Sequence, residues 1–422
     1  MTSRQRVISA LEHKTPDAVP FDLGGTPVTG ISAGALTRLR KAMNLKEESV
    51  KVNEPFQMLG MVEEDLLQAS GVDVVGLWPQ NTFFGYANKN WKPWTLFDGT
   101  KVMVGGDFAT TTDEKGNVYL YPAGDTTVLP SGMMPKGGYY FDTLVRQEPL
   151  DEDHMDGRAD FGEQFQVLQD SELQYYQDTV NDLYNHTDYA IVGNHVFLSL
   201  GDAAVVPGPA LKRTPGIRKL DEWYMALHLH PNYIKDVYEY QTEIALKNLA
   251  LYKEAVGDRL QVVIVNGADF GTQRCEFFSR DMFREFYMPY FKRANDWIHT
   301  NTSWKTFYHT CGSIVNLLDD LVEVGVDIIN PVQCSAAKMD PVFLKTTYGD
   351  KLTFWGGATD TQKTLPFGTP EEVYNEAKER LRIFSKNGGF IYSGIHNIQY
   401  PTPHENIMAF MEALRDYNSR QP

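Results

Sequence analysis

Cysteine is scarce: Cys275, Cys311 and Cys334 are the only three in a chain of 422 residues. Three thiols cannot build a disulfide framework in a protein of this size, so thiols free for metal binding or catalysis are the expectation. Positive charge is also short. The 39 lysines and arginines against 55 aspartates and glutamates leave a net charge of −16, a field that repels phosphate backbones and anionic lipid and argues against a nucleic-acid partner. Long apolar runs are missing too. The opening MTSRQRVISALEHK is charged where a signal peptide is apolar, and no later charge-free stretch is long enough to cross a bilayer. A cytoplasmic location with no membrane contact is therefore expected. There is no G-x-G-x-x-G and no Lys-Ser/Thr phosphate loop, which counts against nucleotide binding. No internal repeat, low-complexity tract or Pro/Ser linker divides the chain.

What is present is ample material for a core, with 42% hydrophobic and 22% charged residues. From about residue 170 onward, short β-rich apolar runs alternate with longer helical patterns, the sign of parallel strands joined by crossover helices. The strand-like runs are 189–193 (YAIVG), 261–266 (QVVIVN), 305–309 (KTFYH), 327–330 (DIIN), 352–356 (LTFWG) and 390–393 (FIYS). Helical stripes fall at 313–324 and at 370–385, where Thr369 is an N-cap ahead of Pro370. Two earlier runs, 19–23 (VPFDL) and 73–77 (DVVGL), bring the strands to eight, which predicts an α/β fold, a (β/α)8 TIM barrel. One stretch departs from this rhythm. From Trp91 to Tyr121, alternation punctuated by Asp98-Gly99 and Lys115-Gly116 reads as antiparallel hairpins. The Pro-, Gly- and acid-rich continuation to Asp170 is expected as a surface loop or an amphipathic helix on the rim. The organisation read from the sequence is thus one barrel domain over 1–422, with a β-hairpin and loop insertion at about 80–170.

Barrel enzymes carry their sites on the loops at the C-terminal ends of the strands. The first such loop is His309-Thr310-Cys311-Gly312, an imidazole and a thiol at i and i+2 that can face one metal ion; the alternative is a half-buried thiol beside a hydrogen-bonded histidine. The second, Ser393-Gly394-Ile395-His396-Asn397-Ile398-Gln399, lies within reach of the first if it follows the eighth strand. His309, Cys311 and His396 then make three ligands with an open fourth position, as catalytic zinc requires, unless His396 only caps its loop. Between them Cys334 is a fourth ligand, a substrate contact or a small buried hydrophobe. The loop Asn266 to Gln273 offers Asp269 and Gln273 to substrate polar groups, as the second loop offers Asn397 and Gln399. Cys275 reads as structural. Trp78, Phe83, Phe84, Tyr86, Trp91 and Trp94 either line an apolar pocket for a flat ligand or serve core and cross-strand packing.

Taken with 4–22 (RQRVISALEHKTPDAVPFD), SRDMFREFYMP, HTCG and Pro403-His404-Glu405-Asn406, these loops make the chain resemble the uroporphyrinogen decarboxylase superfamily, and within it the corrinoid-dependent zinc methyltransferases. In those enzymes zinc is held by a His-x-Cys pair and a later cysteine. The resemblance puts His309 and Cys311 on the pair and His396 where the second thiolate would stand. Exchanging a thiolate for an imidazole leaves a net charge of about +1 at the metal, which favours polarising a methyl donor's heteroatom over activating an acceptor thiol. The decarboxylases proper are less similar. Their Arg-Gln-Ala-Gly-Arg-Tyr run is absent, and the matching region reads Asp22-Leu23-Gly24-Gly25-Thr26-Pro27.

The resemblance implies an O-demethylase component: a zinc methyltransferase that moves a methyl group from a methoxylated small molecule, an aryl methyl ether, to the cobalt of a corrinoid (cobalamin) held by a separate corrinoid-binding protein. Other readings are a methylamine donor or a thiol acceptor, a porphyrinogen decarboxylase, and a non-catalytic barrel that binds a small molecule.

Overall fold

The computed structural model describes residues 1–420. Seven strands form one parallel sheet whose spatial order follows the chain: Val74–Leu77, Ala190–Gly193, Val262–Asn266, Lys305–His309, Ile328–Asn330, Thr353–Trp355 and Phe390–Ile391. The sheet curls into a TIM-barrel-like half-barrel, and the segment around Phe21 stands in the remaining gap. Phe21 bridges Tyr392 in parallel, the Asp22 and Tyr392 amides donate to Tyr392 and Pro20, and the Asp73 amide donates to Phe21 on the other side. All eight strand-like runs of the sequence therefore occupy the ring, the first of them as a single bridged residue.

The strands are buried on both faces, which is why they read as unbroken apolar runs. In Val262–Asn266, Val262 and Ile264 point into the barrel with Phe307, Ile328, Trp355 and Ile391, while Val263 and Val265 pack outward against the helices. The helix Ser3–Leu11 contributes Val7, Ala10 and Leu11 to the interior cluster. Each of the larger of these side chains adds roughly 1.5–3 kcal/mol by leaving water. Among the outer helices, Pro370–Phe384 begins with the expected Thr369 cap, paired reciprocally with Glu372.

The expected hairpins are present, and the antiparallel region is larger than the sequence suggested. Lys92–Thr95 pairs with Lys101–Val104 across Asp98-Gly99, and Thr110–Thr112 pairs with Val118–Leu120 across Lys115-Gly116. The sequence reading missed Val50–Glu54 and Leu59–Gly60; Val50–Glu54 joins the first hairpin in parallel through Lys101–Val104. The expected surface loop after Tyr121 instead extends the second hairpin with Gly132–Met134 and Asp142–Thr143. These strands are two to five residues long, and their backbone pairing, which no periodicity records, is what defines them. Farther on, the short helix Gly157–Phe161 precedes Asp170–His186. Among the described residues, no helix is long and apolar enough to cross a membrane.

Candidate functional site

The strand Lys305–His309 ends with its last side chain buried, and the chain then turns sharply. Gly312 has φ +92°, and a Cβ there would lie 2.4 Å from the Gly271 backbone, so the tight approach of the two loops requires glycine. The turn brings Cys311 Sγ to 3.4 Å from His309 Nε2. His396, delivered by the loop after Phe390–Ile391, places its ring 5.1 Å from that of His309 at 73°. One ligand atom from each of His309, Cys311 and His396 lies within 4.8 Å of the others.

The hydrogen bonds around this cluster fix its chemistry. Asn330 Nδ2 donates to the Trp355 carbonyl, so Asn330 Oδ1 is left to accept from His309 Nδ1–H at 2.6 Å. This selects the tautomer whose Nε2 lone pair faces Cys311, the arrangement common behind metal-binding histidines. Burial lowers the pKa of His309; burial and the neighbouring imidazole lower that of His396 to about 4, so both rings are neutral near pH 7. Burial, followed by the Asp269 carboxylate, pushes the Cys311 thiol well up. Two neutral imidazoles and a thiol that needs a cation to ionise are a donor set suited to zinc. Asp269 joins the group from the next loop: its Oδ1 accepts from the Cys311 amide at 2.7 Å and stands 3.5 Å from His309 Nε2.

His309, His396 and Asp269 form one wall of a cavity of about 580 Å³. The rest of the wall is apolar over most of its area, with Phe56, Trp78, Phe83, Phe165 and Phe197 among its residues beside polar side chains such as Asn53, Gln57 and Gln241. Of the aromatic cluster picked out in the sequence, Trp78 and Phe83 line the cavity. Phe84 and Tyr86 are buried in the core, and Trp94 packs edge-on against Phe108. No lysine or arginine lines the cavity, whereas Glu54, Asp202 and Asp269 do.

The remaining sequence candidates lie outside this wall. Gln273 is exposed and reaches Gln362. Asn397 and Gln399 stand one layer back. Asn397 Oδ1 accepts from Gly30, its Nδ2 donates to the Pro27 carbonyl and to Gln57, and Gln399 also donates to Gln57, so both brace residues that line the cavity. Cys334 is not in the cluster. It packs against the outer core near Arg380 and Glu376, and burial raises its thiol to about 12. Cys275, read as structural, is exposed. Sequence reading missed Asn330, visible only as the polar end of an apolar strand, and Asn194, His195, Glu54 and Asp202, which gave no local signal.

Residues 216–417 match the family described as uroporphyrinogen decarboxylase (URO-D). Over 139 residues the sequence is 27% identical to the methylated-thiol--coenzyme M methyltransferase of Methanosarcina mazei, an alignment covering 33% of this chain and 34% of that protein. The chain thus spans about a third of the length of this curated relative. A solved methyltransferase from Methanosarcina mazei superposes with a TM-score of 0.57 at 14% identity over 99% of both chains, which establishes a shared fold. Residues 216–417 are therefore similar to the uroporphyrinogen decarboxylase family, and these comparisons bear out the chain's resemblance to that superfamily's methyltransferase branch.

Proposed function

We propose that this chain is a zinc-dependent methyltransferase that takes a methyl group from a methoxylated small molecule, an aryl methyl ether, and passes it to the cobalt of a corrinoid carried by a separate protein. The observation that carries the reading is the convergence of His309, Cys311 and His396, whose two histidines line a cavity with several aromatic rings in its wall. Zinc held there supplies Lewis acidity that makes the donor's heteroatom a better leaving group. The chain's own residues do the rest. Asn330 holds the His309 ring in its ligating tautomer, and Asp269 fixes the Cys311 backbone. Phe56 and Phe83, packed on each other with ring centres 4.8 Å apart, give the cavity wall an aromatic surface against which a flat donor can rest. The apolar lining lowers the local dielectric, so any charge that develops on the departing oxygen interacts more strongly with the cluster. One thiolate and two neutral imidazoles favour donor polarisation over activation of a thiol acceptor. A cavity lined by no lysine or arginine is poorly suited to the many carboxylates of a porphyrinogen, which counts against decarboxylation.

The test mixes the chain with guaiacol- or veratrole-type ethers and a reduced corrinoid protein, and follows cobalt absorbance and bound metal together. Methyl-cobalt formation that needs the chain, its zinc and the ether is the expected result. Carbon dioxide released from a porphyrinogen by the chain alone would overturn the reading.

A further inference from the structure

The cavity beside the cluster is acidic in an unusual way. Glu54, Asp202 and Asp269 all line it, and no lysine or arginine does. Asp269 belongs with the metal cluster, but Glu54 and Asp202 have no cationic partner. Burial raises each of them to about 7, the behaviour of carboxyl groups that lack a counter-charge. A second, independent feature lies in the same wall. Asn194 is 3% exposed, its Nδ2 donates to the Gly25 carbonyl at 2.9 Å, and its Oδ1 has no partner. The nitrogen's bond to a carbonyl fixes the amide orientation, so the unpaired atom is an acceptor. A buried acceptor without a donor is destabilising unless a ligand supplies one.

We infer that the molecule held in this cavity is a cation, an organic ammonium attracted by the carboxyl groups of Glu54 and Asp202, with the unpaired Asn194 oxygen as an acceptor in the same wall. The aromatic walls fit the same occupant, because ring faces attract a desolvated ammonium as well as a flat ring. A second metal ion fits less well: among the described residues only His309, Cys311 and His396 bring three histidine, cysteine or carboxylate ligand atoms within 4.8 Å of one another. The inference rests on reading the cavity as the methyl donor's site, and makes that donor a methoxylated ring bearing an ammonium group. It also excludes donors that carry a carboxylate, sulfonate or phosphate.

Binding to the isolated chain tests this without methyl transfer, so the inference and the reaction can fail separately. Isothermal titration near neutral pH would compare 3-methoxybenzylamine, 3-methoxybenzyl alcohol and 3-methoxybenzoate, which share a ring and a methoxy group and differ in charge. The ammonium is expected to bind about tenfold more tightly than the alcohol, with the carboxylate weaker than both. Asp202→Asn should remove most of that advantage and leave the alcohol's affinity unchanged; Glu54→Gln is the second variant should the first not fold. Equal or tighter binding of the alcohol or the carboxylate would overturn the inference, as would an ammonium preference that survives both substitutions.

Discussion

The two sides of the cavity come from different parts of the chain. One side, with His309, Asn330 and His396, is built from strand ends of the barrel and lies within the residues that match the decarboxylase family. The other, with Asn53, Glu54, Phe56, Phe83, Asn194 and Asp202, lies before residue 216, outside the matched segment. Under the proposed function, the matched side carries the reaction and the other side carries the choice of substrate. A barrel permits this division because strand ends are held rigidly by the sheet while the loops and insertions around the mouth can differ without disturbing it.

The first way to break this comparison is at the metal. Cys311→Ser and His396→Ala should each lose most of the zinc, with methyl transfer falling by about 100-fold or more, since a site of three protein ligands tolerates the loss of one poorly. Elemental analysis beside the cobalt assay checks it; full zinc retention in His396→Ala would remove that residue from the ligand set. Next is Asn330→Ala, which frees the His309 ring without touching a ligand. About a 10–100-fold weaker zinc affinity is expected, read by competition with a chelator. On the opposite side, Phe83→Ala should raise KM about tenfold at unchanged zinc occupancy and nearly unchanged kcat, because the ring's contact is made equally with bound donor and with the transition state. A fall in kcat alone would mean that the insertion takes part in the chemistry.

The smallest effect concerns stability. Burial raises Glu54 from the ordinary glutamate value of 4.5 to about 7, and the Gln57 and Phe56 amides only partly offset this. Because the folded value is the higher one, the stability linked to Glu54 is fully present below the unfolded value and is lost as pH rises through about 7. Glu54→Gln should flatten that decline by at most a few kcal/mol, the scale set by about 1.4 kcal/mol for each tenfold change in proton affinity. Urea midpoints measured at pH 5 and pH 8 on both proteins would show it. An unchanged slope would mean that Glu54 is not the group responsible.

Much of the site's chemistry was legible because it is local. An imidazole and a thiol two residues apart at the end of an apolar strand, and a histidine in the loop after another such strand, are signals within a few positions. Asn397 and Gln399 were read as substrate contacts from the same loop, yet they brace Gln57 and Pro27 from behind, because in that irregular loop spacing does not fix which side chain faces the mouth. Cys334 follows its strand closely too, but its side chain turns to the helix layer.

Neighbouring positions alone were enough to specify the eight strand-like runs, the hairpins and the His-x-Cys pair, since periodicity, turn residues and strand ends are all local properties. Folding in three dimensions was needed to place Phe21 between Tyr392 and Asp73 in the ring, to set Asn330 behind His309, and to gather Glu54, Asn194 and Asp202 in a cavity with no lysine or arginine in its wall. Those relations join residues from tens to hundreds of positions apart. The closure of the ring sets them, and no local pattern records it.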